Sequence, residues 1–278
     1  MIRLFPFLLA AAALAQPPKR ILLITDAEGV AGVCRQDQTD PTNVEMRALL
    51  TGEINAAVRG FYDGGADEVV VWDGHDGSQT LSALTIHPRA KLLQGSLGWN
   101  GTLDRGYSAI GFLGQHSMGN VRKGIMAHSF SSLGIQNMKL NGKPVGEIDV
   151  WAGMAGAFNT PVILLTGDQA AVDELKAIVP DAEFAAVKEG LARYACLSLS
   201  AESARSVIHD AAMRSVAKIG KIRPYRIEGP VTLEIEYTTR NSLNPDLSAL
   251  PWVEVLDDRT IRYKGSNLME AWKRYRVR

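Results

Sequence analysis

At 278 residues the chain has room for one large domain, or a large and a small one, at ~100 to 200 residues per domain. Its 46% apolar and 22% charged residues match an ordinary core-forming soluble chain and exclude a disordered protein or a disulfide miniprotein. Lys plus Arg is 30 and Asp plus Glu is 30, so no net field draws nucleic acid or an anionic membrane, and with 2 Cys and 5 His any bound metal must rest on histidines and carboxylates.

Met1 to Ala15 reads as an export signal: Arg3 supplies a positive start, Leu4 to Leu14 an apolar run, and Ala13-Leu14-Ala15 a small-residue cleavage site. A membrane anchor would need ~20 apolar residues, and this run stops at Gln16-Pro17-Pro18-Lys19-Arg20. The expectation is an exported, soluble mature protein, periplasmic or extracellular, with no membrane partner after cleavage. Cleavage removes only Arg3 from the 30 basic residues, leaving 29 against 30 acidic ones. In an oxidising compartment Cys34 and Cys196 either pair or stay free and buried, and their positions in the sequence do not decide between the two.

Beyond Arg20, short β-branched runs alternate with longer helical patterns, the pattern of βαβ units and a mainly parallel sheet. Ile21 to Thr25 is the first strand. Met46, Leu50, Ile54, Ala57, Val58 and Phe61 recur at three and four, an amphipathic helix between Asn43 and Gly64. Strands follow at Val69 to Trp72 and Ser108 to Leu113, then a hairpin turn at Asn141-Gly142. A small-residue helix from Glu147 to Phe158 precedes a strand at Pro161 to Thr166, with Asp168 capping a helix over Ala170 to Ile178. Ser200 caps a helix running to Ala217. After Arg223 the pattern becomes period two, Val231 to Tyr237, as in an antiparallel strand with one wet face. Trp252 to Leu256 and Thr260 to Tyr263 are further strands, and the basic stretch from Trp272 to Arg278 is a helix end whose charges suit its negative pole, not a nucleic-acid tail. The expected organisation is a signal over 1–15, a metal-binding α/β domain over 16–222, and a smaller β-rich part over 223–278.

Ligands of open α/β sheets bind beyond the carboxyl ends of the strands. Asp26 and Glu28 follow the first strand, His75 the second and His116 the third, while Glu147 opens the small-residue helix and His128 lies a short loop past His116. Each of these residues alone suits an ordinary turn or cap. Together, three carboxylates and two histidines make a dinuclear metal site if one carboxylate bridges, a donor set that suits Zn²⁺ first, with Mn²⁺, Co²⁺ or Fe²⁺ as alternatives.

The stretches Asp26-Ala27-Glu28-Gly29, Asp73-Gly74-His75, Phe112-Leu113-Gly114-Gln115-His116, Met126-Ala127-His128-Ser129 and Asn141-Gly142-Lys143-Pro144-Val145-Gly146-Glu147 resemble, in order and spacing, the zinc-dependent D-aminopeptidase family, the M55 peptidases of the dipeptide-operon type. The resemblance runs from Ile21 to about Trp272. It implies a three-layer αβα fold, two zinc ions, a ring-like homo-oligomer (a decamer), and release of an N-terminal D-amino acid from a short peptide. Carried over, Asp26 bridges the ions, Glu28 and His75 complete one site, His116 and Glu147 the other, and His128 matches the catalytic nucleophile. The loop from His116 to His128 is one residue longer than in a typical family member of the dipeptide-operon type.

On chemistry alone, His128 serves equally as a general acid or base, or as a donor to a tetrahedral intermediate. A dinuclear amidase or phosphoesterase and an exported metal-dependent peptide-binding protein are the competing functions. Asp73 and Asp76, beside His75, read as loop solvation ahead of acceptors that orient the metal ligands, His87 as structural, His209 as an exposed helix residue, and Trp151 and Met154 as core or subunit contact.

Overall fold

The computed structural model describes residues 17–95, 97–240 and 244–276. The expected signal, Met1 to Ala15, lies outside the described residues. Seven strands form the central sheet: β1 (Arg20–Thr25), β2 (Glu68–Trp72), β3 (Lys91–Leu93), β4 (Ala109–Gln115), β7 (Val162–Asp168), β8 (Glu183–Ala192) and β9 (Ala195–Ser198). Their spatial order is β3-β2-β1-β4-β7-β8-β9, all parallel except β9, which turns back along β8. Every residue of β4 and β7 is buried, which is why these segments read as unbroken apolar runs and not as alternating ones.

Helix α1 (Val44–Asp63) carries the chain from β1 to β2, and its N-cap Asn43 accepts hydrogen bonds from the amides of Glu45 and Met46 at 3.1 and 3.0 Å. Between β3 and β4 lies the short α2 (Gly98–Leu103). Helices α3 (Glu147–Ala157) and α4 (Gln169–Ile178) serve the crossovers in the other direction, from β4 to β7 and from β7 to β8. Because parallel crossovers are right-handed, reversing direction at the β1/β4 pair puts α3 and α4 on the face opposite α1. Helix α5 (Ala201–Val216) packs along α1, and three layers result.

A second, antiparallel sheet has the order β11-β12-β10-β5-β6. It combines β10 (Val231–Tyr237), β11 (Val253–Val255) and β12 (Thr260–Gly265) with β5 (Ile135–Leu140) and β6 (Lys143–Pro144). Leu233 pairs with Leu140, so this sheet takes strands from two distant stretches of chain and is not confined to residues beyond 222. Asn141 and Gly142 at the β5/β6 turn have φ of 50° and 79°, the left-handed pair a two-residue hairpin turn requires. Helix α6 (Leu268–Arg276) closes the sheet with Trp272 and Tyr275 buried. Cys34 and Cys196 are disulfide-bonded, with Cα atoms 5.8 Å apart. None of the helices among the described residues is long and apolar enough to cross a membrane.

Candidate metal centre

The strand order reverses between β1 and β4, and the polar cluster sits at their carboxyl ends, where open α/β sheets bind ligands. The two strand ends touch backbone to backbone. Gly29 N donates to Gly114 O at 2.7 Å, and Asp26 N to Leu113 O at 2.8 Å. A Cβ on Gly29 would lie 2.1 Å from Gln115 O, and one on Gly114, whose φ is +73°, would lie 2.1 Å from Asp26 O. Only glycine at both positions lets the loop of Asp26 and Glu28 approach the loop of His116.

All six residues singled out above meet there. Asp26 faces two ways: Oδ1 is 3.1 Å from His75 Nδ1 and Oδ2 is 3.4 Å from His116 Nε2. Glu28 Oε2 stands 3.2 Å from His75 Nδ1. Glu147, the first residue of α3, places Oε1 3.5 Å from His116 Nε2 and 3.8 Å from His128 Nε2, and the same oxygen accepts a hydrogen bond from Phe130 N at 2.9 Å. The rings of His116 and His128 stack with centroids 4.0 Å apart.

The other nitrogen of each ring settles its tautomer. His75 Nε2 is 2.8 Å from Thr39 O, His116 Nδ1 is 2.9 Å from Ser117 O, and His128 Nδ1 is 2.9 Å from Met126 O. A carbonyl only accepts, so each of these nitrogens is the N–H donor, and a neutral ring turns its lone pair toward the carboxylates. Lone pairs then face lone pairs across 3.1 to 3.8 Å. Asp26 Oδ2, Glu28 Oε2 and His116 Nε2 are buried and have no hydrogen-bond partner. Three carboxylates in so little water are costly without a cation among them. Protons would be one remedy: burial opposes charge on His75, but Asp26 and Glu28 outweigh it and push that ring up to about 12. Burial and then Glu28 push Asp26 up to about 7. Metal ions are the other remedy, and the donors fit them. Ligand atoms of Asp26, Glu28 and His116 all lie within 4.8 Å of one another, as do those of His116, His128 and Glu147.

A family model for the D-aminopeptidases of peptidase family M55 matches residues 19–277. The chain belongs to the M55 peptidase family. Membership places it among the metallo-aminopeptidases. A D-aminopeptidase of Bacillus subtilis strain 168 is 26% identical over 261 residues, covering 91% of this chain and 94% of the relative. The solved structure of DppA from Bacillus subtilis, described as a Zn-dependent D-aminopeptidase and a self-compartmentalizing protease, superposes with a TM-score of 0.84 at 25% identity, covering 93% of this chain and 96% of that one. The mixed α/β fold with its mainly parallel sheet is shared with that structure.

In this M55 chain the cluster opens into a cavity of about 720 Å³ bordered by His128, Phe130, Ser131, Leu133 and Trp151. Trp151 is buried, packs edge-on against Trp72 with centroids 5.0 Å apart, and also forms part of the cavity wall. Asp73, read from sequence as loop solvation, is fully buried, and its Oδ2 accepts the amides of Thr80 and Leu81 at 3.0 and 2.9 Å, bracing the turn that carries His75. Asp76 remains exposed. Asp168 caps α4 through Ala171 N at 2.6 Å and also accepts Ile125 N at 2.9 Å, holding the loop before His128. His209 pairs with Asp63 and Asp210, far from the site in the fold's α1/α5 layer. Sequence reading missed Thr39, Ser117 and Met126, which act through backbone carbonyls that every residue type supplies.

Proposed function

We propose that the chain is an exported, dinuclear zinc D-aminopeptidase that removes the N-terminal residue from short peptides. The observation that carries this reading is the pair His75 and His116, each locked by a carbonyl so that its other nitrogen faces buried carboxylates, with Asp26 Oδ2 and Glu28 Oε2 left without a hydrogen-bond partner. Asp26, Glu28 and His75 would hold one ion, and Asp26, His116 and Glu147 the other. Asp26 would be shared between them, since its two oxygens address the two histidines separately. Bound there, the ions supply Lewis-acid polarisation of the scissile carbonyl. His128 acts on the substrate: its Nδ1–H to Met126 O leaves the Nε2 lone pair free, so that Nε2 takes a proton from the attacking water and gives it to the departing amine as the C–N bond breaks, or bonds to the carbonyl carbon as the protonated amine leaves, the acyl group then passing to water.

A cavity of about 720 Å³ lies in the range of small-molecule sites and suits the end of a short peptide. Preference for a D-residue is supported by the family and by both relatives' descriptions. Export is supported by the pattern of Met1 to Ala15 and by the Cys34–Cys196 bond. A ring-like homo-oligomer is supported by the self-compartmentalizing relative and by Leu191 and Leu197, 63% and 67% exposed beside and on the edge strand β9.

The purified mature protein tests the reading with zinc content per chain and with turnover of paired D- and L-aminoacyl anilides and dipeptides, with and without chelator. The expected result is two zinc ions and chelator-sensitive release of D-residues. Absence of hydrolysis of every D-aminoacyl substrate overturns it, and tight peptide binding without turnover would make the chain a binding protein.

A further inference from the structure

Lys188 on β8 is 4% exposed, and among the described residues it has no carboxylate within ion-pair distance. Its ammonium instead donates to three backbone carbonyls of one loop: Glu28 O, Val30 O at 2.9 Å, and Val33 O. Three N–H bonds meet three acceptors, the whole donor set of a lysine. The carboxylates of Asp168, Glu53, Glu28 and Asp26 favour its charge from a distance but none pairs with it directly, and a buried ammonium without a paired carboxylate is expensive, so a neutral residue would serve β8 better if packing were its only task.

The loop it grips has no sheet or helix of its own to satisfy these carbonyls. Its amides are held from other directions: Ala31 N donates to the buried Glu53 at 2.9 Å, and Gly32 N to Ser198 Oγ on β9 at 2.8 Å. The Cys34–Cys196 bond ties the loop's end to the same strand. Of these ties, only Lys188 reaches residue 28 itself. Its bond to Glu28 O and the 2.7 Å bond from Gly29 N to Gly114 O hold the two ends of one peptide plane, from which the Glu28 side chain leaves toward His75. The Lys188 hydrogen bond and the 3.2 Å approach to His75 Nδ1 are the inner and outer ends of one residue.

We propose that Lys188 is a positioning residue for the metal centre, which fixes the Glu28 carboxylate by holding the carbonyls of residues 28, 30 and 33 from β8. This rests on the dinuclear reading above. Its effect should be confined to the ion that Glu28 holds, because His116 and Glu147 come from β4 and α3 and take nothing from Lys188.

The test is Lys188→Met in the full mature chain, with folding checked by near-ultraviolet circular dichroism and zinc titrated against a chromophoric chelator. Wild type should load two ions. Lys188→Met should load one ion as wild type and bind the other about 10- to 100-fold more weakly, the usual cost of losing a group that orients a ligand. Glu28→Gln should weaken the same ion, and Lys188→Met combined with Glu28→Gln should add little to it. Equal affinity for both ions in a folded Lys188→Met overturns the proposal, as does equal weakening of both. If Lys188→Met does not fold, Lys188→Gln, which keeps two donors, replaces it: selective weakening of one ion supports the role, and wild-type binding of both overturns it. A wild-type chain that binds no zinc overturns the dinuclear reading itself, and this inference with it.

Discussion

Replacing Gly114 with alanine tests whether the centre depends on two strand ends meeting backbone to backbone. The residue has φ of +73°, and the added Cβ would stand 2.1 Å from Asp26 O and 3.0 Å from Asp26 C. Holding an L-residue in the left-handed region costs roughly 1 to 2 kcal/mol, and forcing apart a packed interior costs about 1 to 3 kcal/mol more. The sum, roughly 2 to 5 kcal/mol, is a large part of the ~5 to 15 kcal/mol by which a domain is stable. Gly142→Ala is the control: its φ is +79°, but no atom lies within 4 Å of the added Cβ, so it incurs only the backbone cost. Both changes stiffen the unfolded chain equally, so the difference isolates the contact. Denaturant unfolding of the zinc-free chains should place Gly114→Ala at least about 1 kcal/mol below Gly142→Ala. Zinc titration should show weakened binding in Gly114→Ala alone, because the atom displaced is the carbonyl of Asp26. Equal destabilisation of the two variants, with zinc binding intact in both, would refute the reasoning.

His128→Ala should retain both zinc ions by elemental analysis and lose about 10²- to 10⁴-fold in kcat; near-wild-type turnover would remove His128 from the chemistry. Replacing Cys34 and Cys196 by serine opens a loop of sequence separation 162 and should lower stability by roughly 2 to 5 kcal/mol, read as a shift in denaturation midpoint against the oxidised chain. Burial pushes the Glu53 carboxyl up to about 7 from the 4.5 of an unburied glutamate. A raised pKa in the folded state contributes stability fully below about pH 4.5 and loses it as pH rises through about 7. Relative to Glu53→Gln, whose amide oxygen can still accept Ala31 N, the wild type should therefore weaken by roughly 3 kcal/mol between pH 4 and pH 8. Parallel stability profiles for the two chains would show that Glu53 does not titrate in this way.

Several parts of the centre were legible in the sequence because they depend on local order. Strands made of apolar β-branched runs end abruptly at Thr25, Trp72 and Gln115, and the first polar residues beyond them fall on one rim of a parallel sheet. Asn43, Asp168 and Ser200 announce their helices by the caps they form. Glu183–Ala192 was not legible as a strand. Its Ala, Lys and Glu content has no β preference, and only pairing with β7 makes it one.

The sequence by itself determined which chemistry was available, carboxylates and histidines with only two cysteines, and where along the chain each candidate ligand stands. Only the tertiary structure decided that β1 and β4 are neighbours, which brings Asp26 and His116 within 3.4 Å across ninety residues of chain. It also decided which nitrogen of each histidine faces the cluster, and that Lys188 reaches across from β8 to hold Glu28. Those choices are made by backbone carbonyls, at Thr39, Ser117, Met126 and Glu28. A carbonyl is the same group in every residue, so no pattern of side chains can announce it before the chain is folded.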